Sequence, residues 1–130
     1  MLKHSKAFSS FSVNDIAGAK KFYAEILKLD VKDNPMGLIE LDIEGGSKII
    51  IYPKPNHEPA AFTVLNFPVE NIDEAVDEFI EKGILFEQYD APNKTDEKGI
   101  CRGDSEVAIA WFKDPGGNIL SLIEDKDHNF

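Results

Sequence analysis

Few side chains in this sequence are of the types that carry chemistry. His4, His57 and His128 are its three histidines, and all sit in a terminal stretch or a Pro-rich linker, where surface positions are the expected reading. Cys101 is the single cysteine, so no internal disulfide can form. Arg102 beside it could lower the thiol pKa, but no histidine is near in sequence, which favours an incidental or buried thiol. Glu40 and Asp42 alternate with Ile39, Leu41 and Ile43, so the two carboxylates share one face of a strand. That face is either a negative wall for a cationic guest or an ordinary solvated surface. A convergent acid/base pair could be drawn only from Glu40, Asp42, Tyr52 and Asp104. Phe62, Tyr52, Trp111 and Phe112 could stack a flat ligand or belong to the core. Trp111 and Phe112 are adjacent, so on a strand only one of them can face a site.

The elements that must position these residues follow from periodicity and punctuation. Ala7 to Val13 reads as a strand, with Phe8, Ser10 and Ser12 on one face and Ala7, Ser9, Phe11 and Val13 on the other. Asn14 or Asp15 offers an N-cap to a helix whose apolar stripe is Ile16, Ala19, Phe22, Tyr23, Ile26 and Leu27. Leu38 to Ile43 and Ser47 to Tyr52 read as strands around the Glu44-Gly45-Gly46 turn. Three prolines between Pro53 and Pro59 forbid a regular element. Then the pattern restarts. Phe62 to Val69 is strand-like, and Asn71 caps a helix over Ile72, Ala75, Val76, Phe79 and Ile80. Gly83 suits its end. Ile84 to Gln88 reads as a strand and Tyr89 to Asp104 as a long loop. Val107 to Lys113 and Ile119 to Ile123 form a hairpin about Asp114-Pro115-Gly116-Gly117-Asn118.

The restart is a repeat. Sliding one half over the other so that Phe11 meets Phe67 also places Val13 on Val69, Ile16 on Ile72 and Ala19 on Ala75, all identical pairs. The Gly45-Gly46 turn has a counterpart in Gly116-Gly117. Two βαβββ units, over approximately residues 6–55 and 60–126, are the simplest account of one 130-residue domain. A net charge of −10 argues against nucleic acid, whose phosphates it would repel, and suits a cationic small molecule. Residues 1–7 contain no apolar segment of a secretory signal, and no run reaches the length of a membrane span. A cytoplasmic chain is expected, with no membrane partner.

Trp111-Phe112-Lys113-Asp114-Pro115-Gly116-Gly117-Asn118 followed by an alternating strand, and Phe11-Ser12-Val13-Asn14-Asp15 leading into Phe22-Tyr23, resemble the vicinal oxygen chelate superfamily. That group includes glyoxalase I, extradiol dioxygenases, fosfomycin-resistance enzymes and bleomycin-resistance proteins. The resemblance covers nearly the whole chain. It implies an α+β fold in which two βαβββ repeats form a cupped mixed β-sheet with helices on the outer face. The superfamily's metalloenzymes carry imidazole or carboxylate ligands on the first and last strands of each module. Those positions fall here on Phe8, Val64, Ser121 and a place within Ile49-Ile50-Ile51-Tyr52. Hydrocarbon cannot coordinate a cation and a lone serine is a poor donor, so no metal or other cofactor is expected.

By alternation and the resemblance, Ser10, Ser12, Asn66, Pro68, Ile119 and Ile123 should face the cup beside Phe8, Val64 and Ser121. The residues expected to touch a ligand are Phe8, Ser10, Glu40, Tyr52, Val64, Asn66, Trp111 and Ser121, and no residue is assigned a catalytic role. The expected function is metal-free small-molecule binding of the bleomycin-resistance type. A glyoxalase-type lyase or isomerase and a regulatory interaction module are the alternatives. The resemblance also implies a homodimer, with the loop from Tyr89 to Asp104 capping the partner's cleft.

Overall fold

The computed structural model describes residues 1–103, 106–128 and 130. The chain divides into two compact units, Met1–Pro59 and Ala60–Phe130. In the first, a short 3-10 turn (Leu2–His4) precedes β1 (Ser9–Val13), α1 (Ile16–Lys21) with a π turn at Phe22–Ile26, β2 (Asp30–Asp33), β3 (Ile39–Asp42) and β4 (Ile49–Pro53). In the second come β5 (Thr63–Pro68), α2 (Ile72–Glu81), β6 (Ile100–Arg102), β7 (Val107–Lys113) and β8 (Ile119–Asp125). The strand orders are β1-β4-β3-β2 and β5-β8-β7-β6. In both sheets the first strand lies parallel to the last, and the other pairings are antiparallel. Each unit is thus a βαβββ module of the same topology. Among the described residues no helix is long and apolar enough to cross a membrane.

Local chemistry explains the helix ends. Asp15 is the N-cap that forms in the first module, its carboxylate accepting the Gly18 N–H at 3.2 Å. Asn71 does the same for Glu74 at 3.1 Å. A second acceptor at α2 comes from the sheet: Glu124 Oε2 takes the buried Ile72 N–H at 2.8 Å, pairing a carboxylate with the positive helix end. Gly83 closes α2 at φ +89°, with Gly83 N–H bonded to Ile80 O and Ile84 N–H to Phe79 O, the Schellman pattern.

The first module buries Val13, Ala19, Phe22, Tyr23, Ile39, Leu41 and Ile51. In the second, Phe112 is fully buried, with Phe79 meeting it edge-on at 5.5 Å and Phe86 at 5.7 Å. Burial of one such ring contributes about 2–3 kcal/mol. Exposed ion pairs add ties that are individually small: Arg102 to Asp73 at 2.6 Å joins β6 to α2, and Lys98 reaches Asp77 at 2.8 Å.

Four elements depart from the sequence reading. β2 was not anticipated, because Asp30-Val31-Lys32-Asp33 lacks an apolar run. It is an edge strand paired only with β3, and edges tolerate charge. The strand expected at Ile84–Gln88 is reduced to one bridge between Phe86 and Phe112. Its place at the sheet edge is taken by β6, from within the segment read as loop. Three residues between Gly99 and Gly103 are too few to show a period. Finally, β1 begins at Ser9, leaving Phe8 outside it and 60% exposed.

Gly99 holds β6 in place. It sits at φ +91°, and a Cβ there would lie 2.7 Å from Phe86 Cβ and 3.2 Å from Glu87 O. Gly45 has a similar φ of +84° but open space around it. Gly45→Ala should therefore cost about 1–2 kcal/mol from backbone strain alone. Gly99→Ala should cost roughly 2–4 kcal/mol, because overpacking adds to that strain. Urea denaturation of the two variants checks this, and equal midpoints would contradict it.

Candidate ligand site

β8 runs between β5 and β7, so its side chains divide between two faces. Leu120, Leu122 and Glu124 share the face of Phe112 and α2, while Ile119, Ser121 and Ile123 take the other. Trp111 lies opposite Ser121 in the β7–β8 ladder, on that second face. Its indole Nε1–H donates to Thr63 Oγ1 on β5 at 3.1 Å. Because β8 separates the two strands, the indole lies across β8, and Ser121 beneath is fully buried. Phe112 points the opposite way, into the core.

The exposed side of the indole opens on a hollow of about 510 Å³ lined by Phe62, Thr63, Tyr89, Pro92, Trp111 and Ile119, among others. The Tyr89 ring meets the indole at 5.4 Å and 66°. The loop carrying Tyr89 is tied at several points. Glu87 N–H donates to Trp111 O at 2.8 Å, Lys113 pairs with Glu87 at 3.3 Å, and buried Thr95 accepts the Tyr89 N–H at 2.9 Å. Part of the expected lid is therefore a fixed wall of this hollow. A second hollow of about 470 Å³ is lined by Pro68, Ile123, Glu124, His128 and Phe130, among others.

Thr63 reaches the indole because β5 is irregular. Its register with β8 shifts between Thr63 and Leu65: Thr63 pairs with Ile119, Leu65 with Leu120 and Asn66 with Ser121. Val64 is the extra residue of this bulge. Thr63 and Asn66 consequently share the face of Ile119 and Ser121, although strict alternation would oppose them. The placement expected for Val64 is corrected accordingly: Thr63, not Val64, makes the contact with Trp111. The Ser121 hydroxyl donates to Asn66 Oδ1 at 2.5 Å.

The remaining site candidates lie in the first module. Ser10 and Glu40 flank Ile50 in one row, and Ser12 lies beside Tyr52. Glu40 pairs with Lys48 at 3.3 Å and Asp42 with Lys32 at 2.6 Å. The hydrogen bond from Lys32 holds the Asp42 carboxyl below its ordinary range. The proposed negative wall is thus neutralised rung by rung, because the lysines of β2 and of the β3–β4 turn reach across. His57 also departs from the surface reading: it is half-buried, with Nδ1 at 2.7 Å from Ser12 Oγ. The Pro-rich segment turns back through Lys54 N–H to Val13 O and brings the imidazole to β1. His4 and His128 are exposed. Cys101 is half-buried opposite Ile109. Asp104 lies outside the described residues.

A family model of the Glyoxalase/Bleomycin resistance protein/Dioxygenase superfamily matches residues 7–122. The chain belongs to that superfamily. Solved structures with the same fold include a Bacillus anthracis protein provisionally assigned to the glyoxalase family, 24% identical over 92% of this chain and 93% of that one, TM-score 0.70. They also include TnmS3, an antibiotic binding protein from Streptomyces sp. CB03234, at 20% identity, 92% and 93% coverage and TM-score 0.65. Lactoylglutathione lyase from Agrobacterium tumefaciens is 19% identical over 98% of both chains, TM-score 0.66. At these identities the likeness concerns the fold. No curated protein matches the sequence significantly.

The metal chemistry found in parts of this superfamily does not fit the residues present. The family's ligand positions hold Phe8, Val64 and a sealed Ser121 whose proton is committed to Asn66. Among the described residues, no three of His, Cys, Asp and Glu converge where they could hold an ion.

Partial desolvation, and secondarily the Glu87 charge, raise the phenol of the exposed Tyr89 above its usual value of 10.0. The folded state holds this proton more tightly than the unfolded chain does. Its contribution to stability is therefore complete below the usual phenol value and is lost as pH rises through the folded pKa. In Tyr89→Phe this alkaline loss should shrink, and the wild-type-minus-variant phenolate absorbance should titrate above 10. A difference spectrum titrating at or below that value would contradict the partial desolvation of the phenol.

Proposed function

We propose that this chain is a small-molecule-binding protein that takes a flat, ring-bearing guest on the face of Trp111. The observation that carries the reading is the indole itself. It is half-buried, pinned at Nε1 by Thr63 and met edge-on by Tyr89 above an open hollow. A ring held at one edge by a hydrogen bond and free on one face is a stacking platform that needs little reordering to bind. The lining mixes Ala61, Phe62, Pro92 and Ile119 with the polar Thr63, Asp90 and Asn93, so apolar contact is combined with groups that can orient a guest. Asp90 on the rim and the net charge of −10 favour neutral or cationic guests over anionic ones. A fold-mate that binds an antibiotic is consistent with this use of the scaffold, although the same scaffold also hosts a lyase.

The lyase or isomerase alternative has less support. Of its acid/base candidates, Glu40 and Asp42 are paired with lysines, and the lowered pKa of Asp42 makes it a weak base.

Trp111 is the only tryptophan, so its emission reports directly on the platform. Titration with 9-aminoacridine, a planar cation, and with neutral 9-fluorenone should give saturable quenching and raise the melting temperature through linkage. Trp111→Leu should remove the thermal shift for both. Absence of saturable quenching and of any thermal shift with either compound would refute the proposal.

A further inference from the structure

We infer that Asn66 is the polar anchor of this site, its side-chain amide donating to a carbonyl oxygen carried by the guest. The inference rests on the ring-binding role of Trp111 and adds a chemical class to it: a neutral, planar, carbonyl-bearing molecule.

The argument begins with a polar pair that the fold does not explain. Ser121 is fully buried in the central strand of its sheet, next to Leu120 and Leu122. Asn66 is exposed in an edge strand, and asparagine is among the residues depleted from strands. Their hydrogen bond at 2.5 Å fixes Asn66 Oδ1 as the acceptor. With the carbonyl end committed to a buried, immobile hydroxyl, the planar amide leaves its two Nδ2 protons directed away from Ser121. Among the described residues Nδ2 has no acceptor. The amide thus presents oriented, uncharged donors at the solvent-exposed surface of β5.

Asn66 does not line the hollow itself, so a guest reaches it by extending from the indole along the shared sheet face. The Val64 bulge puts Asn66 on the same face as Thr63, whose hydroxyl holds the indole edge. The rows Thr63–Ile119 and Asn66–Ser121 are consecutive on that face, about 7 Å apart at the rise of a strand. A two- or three-ring guest stacked on Trp111 spans that distance. Charge selects the acceptor. Lys113, the cation beside Ile119, is paired with Glu87 at 3.3 Å, and Asp90 lies on the hollow's rim. A carboxylate would be repelled, whereas a neutral carbonyl needs only the amide donor.

Three probes distinguish the contributions: 9-fluorenone, fluorene, which lacks its carbonyl, and 9-fluorenone-2-carboxylate. Trp111 quenching should show fluorenone binding about fivefold to tenfold tighter than fluorene, the worth of one neutral hydrogen bond, with the carboxylate weaker than fluorenone. Asn66→Asp keeps an oxygen for the Ser121 hydroxyl while deleting the donor. In this variant, and likewise in Asn66→Leu, the preference for fluorenone over fluorene should be lost. Equal affinities for fluorenone and fluorene in the wild type, or a preference for fluorenone that survives both substitutions, would overturn the anchor while leaving the stacking platform intact. Binding of none of the three probes would defeat both readings together.

Discussion

The chemistry of the second module depends on one extra residue in β5. A strand sends successive side chains to opposite faces, so without the bulge at Val64 the hydroxyl of Thr63 would point toward the α2 side. Trp111 would lose its acceptor across β8. With the bulge, β5 presents Thr63 and Asn66 together on the face opposite α2. Thr63 then accepts from Trp111 and Asn66 accepts from Ser121. A local irregularity thereby couples an aromatic surface to a polar pair, a use to which bulges are often put beside binding sites.

The bulge can act this way only because the neighbouring ladder does not slip. Register between β7 and β8 is set by the turn at Asp114–Asn118. Asp114 Oδ1 accepts the Gly116 and Asn118 N–H groups, each at 2.9 Å, and Asn118 Nδ2 donates to Asp114 Oδ2 at 3.0 Å. Both side chains are buried, so loss of either would leave polar atoms unsatisfied, at about 1–3 kcal/mol each. This penalty for slippage keeps Trp111 opposite Ser121. On the other face Glu124 secures the start of α2, three residues beyond Ser121 and on the opposite side of the strand. Two acceptable polar chemistries thus coexist on one central strand because its pleat separates them.

How much of this was legible in the sequence follows from the range of the interactions. The first cap (narrowed to Asn14 or Asp15), the Asn71 cap, the Gly83 stop, the Asp114 turn and the repeat involve residues close in sequence or regular periods, and could be read there. Of the candidate ligand residues in this module, Asn66, Trp111 and Ser121 do come together in one row, whereas Val64 does not, since a bulge changes parity without leaving a mark in residue type. β2 and β6 escaped because a four-residue charged edge strand and a three-residue strand have no readable period. The docking of His57 on Ser12 escaped for a different reason. It depends on how a Pro-rich segment turns back, which composition does not encode. Thr63 carried no signal of its own, and Tyr89 appeared only as one member of a loop.

The two modules share a topology and differ in what their corresponding sheet faces carry. In the first, Lys32, Glu40, Asp42 and Lys48 form ion-paired rungs across β2, β3 and the β3–β4 turn. Such exposed pairs satisfy one another and are screened by salt, leaving little unspent charge for a guest. In the second, the corresponding face carries the indole, a phenol and the Ser121–Asn66 pair, with Lys113 already matched to Glu87. Backbone topology alone cannot distinguish these faces, since both descend from the same strand order and pleat. The difference lies in which side chains have surplus capacity: the ladder of the first module is internally compensated, whereas the second retains an open ring face and an amide donor. Recognition on this scaffold follows from that surplus rather than from the fold.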